Sequence, residues 1–346
     1  MAGHERPRRH PRLLASPSPR PRGALPRSGR SPPGAIRSDR TSGAGGGTVS
    51  EEVLRLRHEG FAYSCRVSRQ PDRVTPPVFL FGGALHRNHG WARRLEKALP
   101  SGATVVTVDL PGFGAADPLP PAHDASFLAG AAWRAVESLG FARYDLVGQC
   151  LGGFVVQQML RRARPGVRRV VLSGVCAGPW PGPLLKAQLQ SAELASDRGD
   201  RATLLEVATR LFFGVAAGEG AGTERGPVPQ FRDRIGALDP GVLEDLRNHL
   251  YREWFPPGLP AQAPPEVPVL VFTGADDVLT PPGEAHRLAM GYPRGRFVVV
   301  ENAGHMIHVE RPDEYGQIVA SHLGHDGEAV PHSRPYHGSE ALERRA

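Results

Sequence analysis

Cys150 lies in the string GQCLGG, Gly148 to Gly153, where an apolar run (YDLV, from Tyr144) gives way to a helix-forming stretch (FVVQQML, from Phe154). A tight strand-to-helix turn needs small residues two before and two after its central side chain, because larger neighbours collide. Such a turn lifts the thiol above the strand end and aims the amides of the next helix at it, which stabilises negative charge. The chemistry this suits is nucleophilic attack on an acyl carbon to give a thioester. A thioester stays reactive toward amines, thiols and hydroxyls, so cysteine favours acyl transfer or ring closure without excluding hydrolysis. Cys65 and Cys176 have no such setting and read as packing. With no resolving cysteine beside Cys150, a redox sensor is disfavoured. His86 and His89 lie close together but lack further ligands, so substrate contact or plain solvation is expected there and no metal.

The elements that must position Cys150 follow from periodicity. Val53 to Arg57 and Ala62 to Ser68 alternate and predict an antiparallel pair. Six apolar runs of buried-strand length come next: Val78 to Phe81, Thr104 to Val108, Tyr144 to Val147, Arg169 to Leu172, Val267 to Phe272 and Arg296 to Val300. Helix-length stretches separate most of them, including Ser126 to Leu139 and Phe154 to Arg162. The alternation predicts an α/β fold with a mostly parallel sheet covered on both faces. Between Ser173 and Val267 the rhythm breaks into helical periodicity without strands, with Asp239 as N-cap and Pro240 opening a helix that carries Leu243, Leu246 and Leu250. The interval reads as a helical cap over the sheet edge, with Gly214 to Gly226 as a mobile loop.

Five strings in order carry a family resemblance: FLFGGAL (Phe79 to Leu85), DLPGFG (Asp109 to Gly114), LVGQCLGG (Leu146 to Gly153), FTGADDVLTP (Phe272 to Pro281) and NAGHMIHVERPDEY (Asn302 to Tyr315). From Val78 to Leu323 the chain resembles a capped α/β-hydrolase of the lipase, esterase and thioesterase kind, with Cys where the family usually has Ser. The resemblance implies Asp277 as the acid, with Asp276 the one-residue alternative, and His305 as the base. It implies an oxyanion hole from the backbone N–H groups of Ala84 and Leu151, and substrate contacts from Leu85, Gln149 and Trp180. The family's His-Gly pair at the oxyanion loop is here Gly82 and Gly83, which puts the conformation of that loop in doubt. Trp91 and Trp254 are expected to pack or to line the acyl pocket.

The resemblance implies an acyl-transferring or acyl-hydrolysing enzyme, thioesterase or acyltransferase in type, acting on a small ester or thioester, free or presented on a carrier. Simple ester or lactone hydrolysis is the alternative enzyme, and a non-catalytic ligand-binding protein is the alternative of another class. Dienelactone hydrolases share the cysteine elbow but are smaller and uncapped. The enzyme that joins hydroxyacyl chains in rhamnolipid synthesis is loosely similar but uses Ser. Epoxide hydrolases and haloalkane dehalogenases need a carboxylate where Cys150 stands. No cofactor is called for.

The chain has 346 residues and a formal charge of +7. Ten arginines against two acids lie in residues 1–48, so the remainder is close to neutral and a nucleic-acid or membrane-surface role is disfavoured. Three well-separated cysteines suit a reducing, cytoplasmic compartment. No apolar run approaches the ~18 residues that span a bilayer, and the first thirty residues lack the apolar core of a signal peptide. The expected organisation is a disordered tail over 1–48, a core over 49–177 and 263–324, a cap over 178–262 and a flexible tail over 325–346. The run Gly45 to Gly47 ahead of Val49 suits a ribosome-binding sequence before a GTG start, which would leave the first 48 residues untranslated.

Overall fold

A computed structural model describes residues 36–39, 49–69, 75–86, 89–99, 102–162, 164–178, 180, 182–214, 227–237, 240–255 and 265–324. Their strands are β1 (Ile36–Asp39), β2 (Ser50–His58), β3 (Phe61–Arg69), β4 (Val78–Phe81), β5 (Val105–Asp109), β6 (Tyr144–Gln149), β7 (Val167–Ser173), β8 (Val269–Gly274) and β9 (Gly295–Val300). They form one sheet in the order β1-β2-β3-β5-β4-β6-β7-β8-β9. The pairs from β1 to β3, and β3 with β5, are antiparallel, and every other pair is parallel.

Continuous apolar strands arise because both faces are covered. Phe79 and Phe81 of β4 join the core that includes α2 (Ala125–Ser138), α3 (Leu151–Arg161) and α8 (Pro282–Met290). Val78 and Leu80 point the other way, into the core formed with α1 (Arg93–Ala98), α9 (Ile307–Glu310) and α10 (Pro312–Gly324). Helix α2 begins at Asp124, whose carboxylate accepts the Ser126 and Phe127 amides at 2.9 and 3.0 Å.

One departure concerns the tail expected to be disordered over 1–48, since Ile36–Asp39 within it pairs with β2, Ile36 opposite Val53. An edge strand needs only an open backbone ladder, not a core of its own, so composition does not reveal it. The rest of that tail, and all of 325–346, lie outside the described residues.

Between β7 and β8 come α4 (Pro183–Asp197), α5 (Arg201–Phe213), α6 (Pro227–Gly236) and α7 (Pro240–Leu250). Helix α7 starts at the expected proline, while Asp239 and residues 215–226 lie outside the described residues. The segment after α7 is bolted to the core: the Arg252 guanidinium donates to the carbonyls of Leu119, Pro120 and His123. Trp254 is fully buried, and its Nε1 donates to the His249 carbonyl at 2.9 Å.

Candidate active site

The sheet places the site where the chain reverses direction across it. β4 has β5 on one side and β6 on the other, so the loops leaving β4 and β6 diverge and open a crevice at the strand ends. Phe81 stands opposite Gly148 in the β4–β6 register, which sets Gly82 and Gly83 beside Gln149 and Cys150.

Cys150 occupies the turn between β6 and α3 with φ 53° and ψ −125°. A left-handed non-glycine residue of this sort stores about 1–3 kcal/mol of strain, held by its surroundings. The surroundings demand glycine. A Cβ on Gly148 would lie 2.6 Å from Gly153 Cα, and one on Gly152 would run into the Phe81 carbonyl. The loop after β4 is equally close, since a Cβ on Gly83 would stand 3.2 Å from the Cys150 sulfur. Leu151 is the first residue of α3, where amides have no acceptor within the helix.

His305 follows β9 and meets Asp277, which follows β8, through Nδ1 and Oδ2 at 2.9 Å. Asp277 is enclosed by donors: Thr273 and Thr280 hydroxyls at 2.7 Å on Oδ2, and Leu279 and Thr280 amides at 2.9 Å on Oδ1. Burial works to raise its carboxyl, but the His305 charge and these bonds outweigh burial and hold it below the usual range. Burial likewise works against charge on His305, yet Asp277 and then Cys150 raise the imidazole well above its ordinary value. Each partner thus favours the charged form of the other. His305 Nε2 has no partner in ordinary hydrogen-bond geometry, although the Cys150 thiol is near enough to act on it. Asp276, the alternative acid, instead uses its amide to bond the Ala303 carbonyl at 2.9 Å.

The inserted helices touch this pair directly. The Phe212 carbonyl at the end of α5 accepts the amides of His305 and Met306 at 2.9 and 3.2 Å. A Cβ on Gly304 would strike the Phe213 backbone at 2.6 Å. From the other side the Glu310 carboxylate accepts the Gly304 amide at 3.0 and 3.1 Å. Burial pushes the Glu310 carboxyl up to about 7.

A cavity of about 180 Å³ opens onto Cys150. Ala84, Leu85, Gln149, Leu151 and Trp180, all singled out from the sequence, line it together with Cys150; Asp277 and His305 do not. Its far wall comes from the inserted helices, with Leu189, Leu204, Leu211, Phe212 and Ile235. Glu193 and Arg247 at its edge neutralise one another at 2.7 Å, with Asp197 also on Arg247 at 2.7 Å. Trp254 packs and does not line the cavity.

Two expectations change. His86 and His89 are each only 8 % exposed, so plain solvation is wrong for both. His89 hydrogen-bonds Ser64 at 3.2 Å and approaches Asp109 at 3.4 Å. His86 stacks on Trp91, ring centres 4.3 Å apart, and its Nδ1 accepts the Gly83 amide at 2.7 Å. A side chain at Gly82 would meet that Nδ1 at 2.5 Å, so glycine there is the condition for His86 to reach the loop. Sequence reading also passed over His308, three residues beyond His305, which bonds both His86 and Gln149. The only signal for it was its place in the NAGHMIHVERPDEY string. Among the described residues no cluster of metal-ligating side chains occurs.

Comparison with known proteins agrees with this architecture. The family model described as the alpha/beta hydrolase family matches residues 78–318. A pimeloyl-(acyl-carrier protein) methyl ester esterase of Chromobacterium violaceum is 26% identical over 270 residues, covering 71% of this chain and 93% of the relative. A putative non-heme bromoperoxidase of Mycobacterium tuberculosis is 28% identical over 264 residues, covering 68% of this chain and 89% of that one. Among solved structures, the enol-lactonase of Burkholderia xenovorans superposes with a TM-score of 0.63 at 19% identity, covering 78% of this chain and 100% of its own. A hydrolase of Pseudomonas aeruginosa superposes at 0.63 with 24% identity, covering 79% of this chain and 98% of its own. On the family match across most of its length, with the sheet, the crevice and the elbow in the family's order, the chain belongs to the alpha/beta hydrolase family.

Proposed function

We propose that the chain is a cysteine-dependent thioesterase or acyltransferase that carries its acyl group on Cys150. The observation that carries this reading is the thiol itself, held in a strained elbow at the mouth of an apolar cavity beside the buried His305–Asp277 pair. The Cys150 sulfur attacks the carbonyl carbon of an acyl thioester or ester, forming an S–C bond while the carbonyl pair moves onto oxygen. The Ala84 and Leu151 amides hold that oxyanion. Collapse breaks the bond to the leaving group, which takes the proton from His305 Nε2. The neutral imidazole then removes a proton from the acceptor, be it water, amine, thiol or alcohol. Acceptor attack releases the Cys150 thiolate and restores the imidazolium. Asp277 stays ionised throughout and holds His305 by Nδ1.

Helices α4 to α7 act in this reading as the cap that houses the acyl chain. Their apolar wall and the internally neutralised Glu193 and Arg247 favour an uncharged aliphatic acyl group. A substrate on a carrier fits the same layout, and the Chromobacterium violaceum relative is named for a carrier-bound ester. That name, with the enol-lactonase structure, supports ester or lactone hydrolysis as the second reading.

Intact-protein mass spectrometry after incubation with a panel of acyl thioesters tests the proposal. A retained acyl mass that vanishes in Cys150→Ala is expected. No acyl-enzyme with any member, together with alkylation of Cys150 no faster than a free thiol, would instead mark a ligand-binding protein.

A further inference from the structure

His305 does not line the cavity, but Phe212 of α5 touches both. Phe212 is half-buried and forms part of the cavity wall, and its ring meets the His305 ring edge to face with centres 5.9 Å apart. Its carbonyl also accepts the His305 and Met306 amides at 2.9 and 3.2 Å. The two residues that follow allow no slack. A Cβ on Gly304 would strike the Phe213 backbone at 2.6 Å, and one on Gly214 would stand 2.8 Å from the Asp276 carbonyl oxygen. The end of α5 thus abuts the turn of the base and the loop of the acid together. On its other side the Phe212 ring packs on Phe231 of α6, with centres 5.3 Å apart.

An apolar cavity of about 150 Å³ takes the six carbons of benzene. One of about 180 Å³ therefore suits the six carbons that an octanoyl group carries beyond its second. A chain of that length packs on the cavity side of the Phe212 ring and adds dispersion contacts there. We propose that Phe212 couples the acyl chain to the base: a chain that fills the cavity seats the Phe212 ring against the His305 imidazole and fixes Nε2 over the leaving group. The substrate class is a straight acyl group of about eight carbons, whose length is read in the rate of acylation as well as in binding. This rests on the reading of Cys150 as the acyl-accepting nucleophile, with His305 protonating the leaving group. Phe212 is a positioning residue, since it acts through His305. Contacts to the remote part of a substrate raise the rate when they organise the reacting groups, so a truncated substrate loses rate and not affinity alone.

The test uses the full chain and rapid-quench mass spectrometry of the acyl-enzyme. Acetyl-N-acetylcysteamine and n-hexane divide the octanoyl group into its reacting and its remote carbons, with no bond between them. In wild type at saturating thioester, hexane should speed acetylation by about tenfold, well inside the cost of a misplaced catalytic group. Octanoylation should exceed unassisted acetylation by a similar factor. Phe212→Leu keeps the carbonyl and an apolar wall, and there both factors should fall below about twofold. Leu189→Ala trims the wall on α4 instead. It should raise the half-saturating octanoyl thioester concentration while holding the octanoyl-to-acetyl rate ratio within about twofold of wild type. Hexane that fails to speed wild type, both factors unchanged in Phe212→Leu, or equal losses of the ratio in Phe212→Leu and Leu189→Ala would each overturn the coupling while leaving Cys150 as nucleophile. Absence of both acetyl-enzyme and octanoyl-enzyme in wild type would overturn the two readings at once.

Discussion

At Cys150 the difference between sulfur and oxygen is the residue-scale question. Cys150→Ser replaces the longer bond and larger atom with a hydroxyl that sits short of the acyl carbon, and misplacement on that scale costs about 100-fold in rate. The hydroxyl also needs His305 for every proton it loses, whereas Asp277 and Cys150 here favour the protonated form of His305. An ester intermediate gives up its acyl group to amines and thiols less readily than a thioester does. The Ser variant should therefore lose transfer more than hydrolysis, which a partition assay with one acyl thioester and a competing amine reads out. An unchanged ratio would favour plain hydrolysis. Asp277→Asn should cost about 10³-fold in kcat/KM, less than Cys150→Ala, because the thiol survives while His305 loses its anchor. Its sign in pH is defined. Asp277 raises His305, so activity needing the imidazolium is present below the His305 pKa and lost as pH rises through it. In the variant that alkaline limb should move to lower pH, checked by kcat/KM profiles.

Among the elements, the turn carrying His305 is clamped by two neighbours, α5 through the Phe212 carbonyl and α9 through the Glu310 carboxylate. Burial raises Glu310 to about 7 from 4.5, so the folded protein binds a proton that the unfolded chain has released between those values. The stability this confers is complete below pH 4.5, declines as pH rises, and is gone above about 7. Glu310→Gln still accepts the Gly304 amide without titrating. Its thermal midpoint should lack that component of the decline, so the difference between variant and wild type should grow in the variant's favour across the window. Midpoints recorded by calorimetry from pH 4 to 8 decide it, and parallel curves would show that Glu310 is held some other way.

At the scale of the whole molecule, helices α4 to α7 do two things that sequence patterning assigned to one. They line the cavity and, through Phe212, they bond the backbone of His305 itself. Removing residues 178–262 should therefore abolish discrimination among acyl chains and also slow alkylation of Cys150 by about tenfold, because the turn that carries His305 is loosened. Selectivity retained in that variant would overturn the assignment of these helices as a cap. The strand Ile36–Asp39 leads to a smaller expectation. Deleting residues 1–39 should leave activity intact but uncover the β2 edge, lowering the thermal midpoint by about 2–4 °C for ~1 kcal/mol lost.

Cys150, the glycines around it and the order of strands and helices were legible in the sequence because each is a local demand. A tight turn excludes side chains within a few residues, and a strand covered on both faces must be apolar along its whole length. Which of Asp276 and Asp277 meets His305 was not settled by spacing; the loop after Gly274 turns the Asp277 carboxylate onto His305 and uses the Asp276 amide to bond Ala303. His86 and His308 are 222 residues apart and Gln149 and His308 159, and no periodicity links residues that meet only when the C-terminal ends of β4 and β6 and the turn after β9 converge. The edge strand at Ile36 depends on a partner ladder that composition does not encode. The sequence determined which residue types could do chemistry and which elements would carry them. Their burial and mutual contacts were decided by the tertiary structure, because those properties belong to distances between distant parts of the chain.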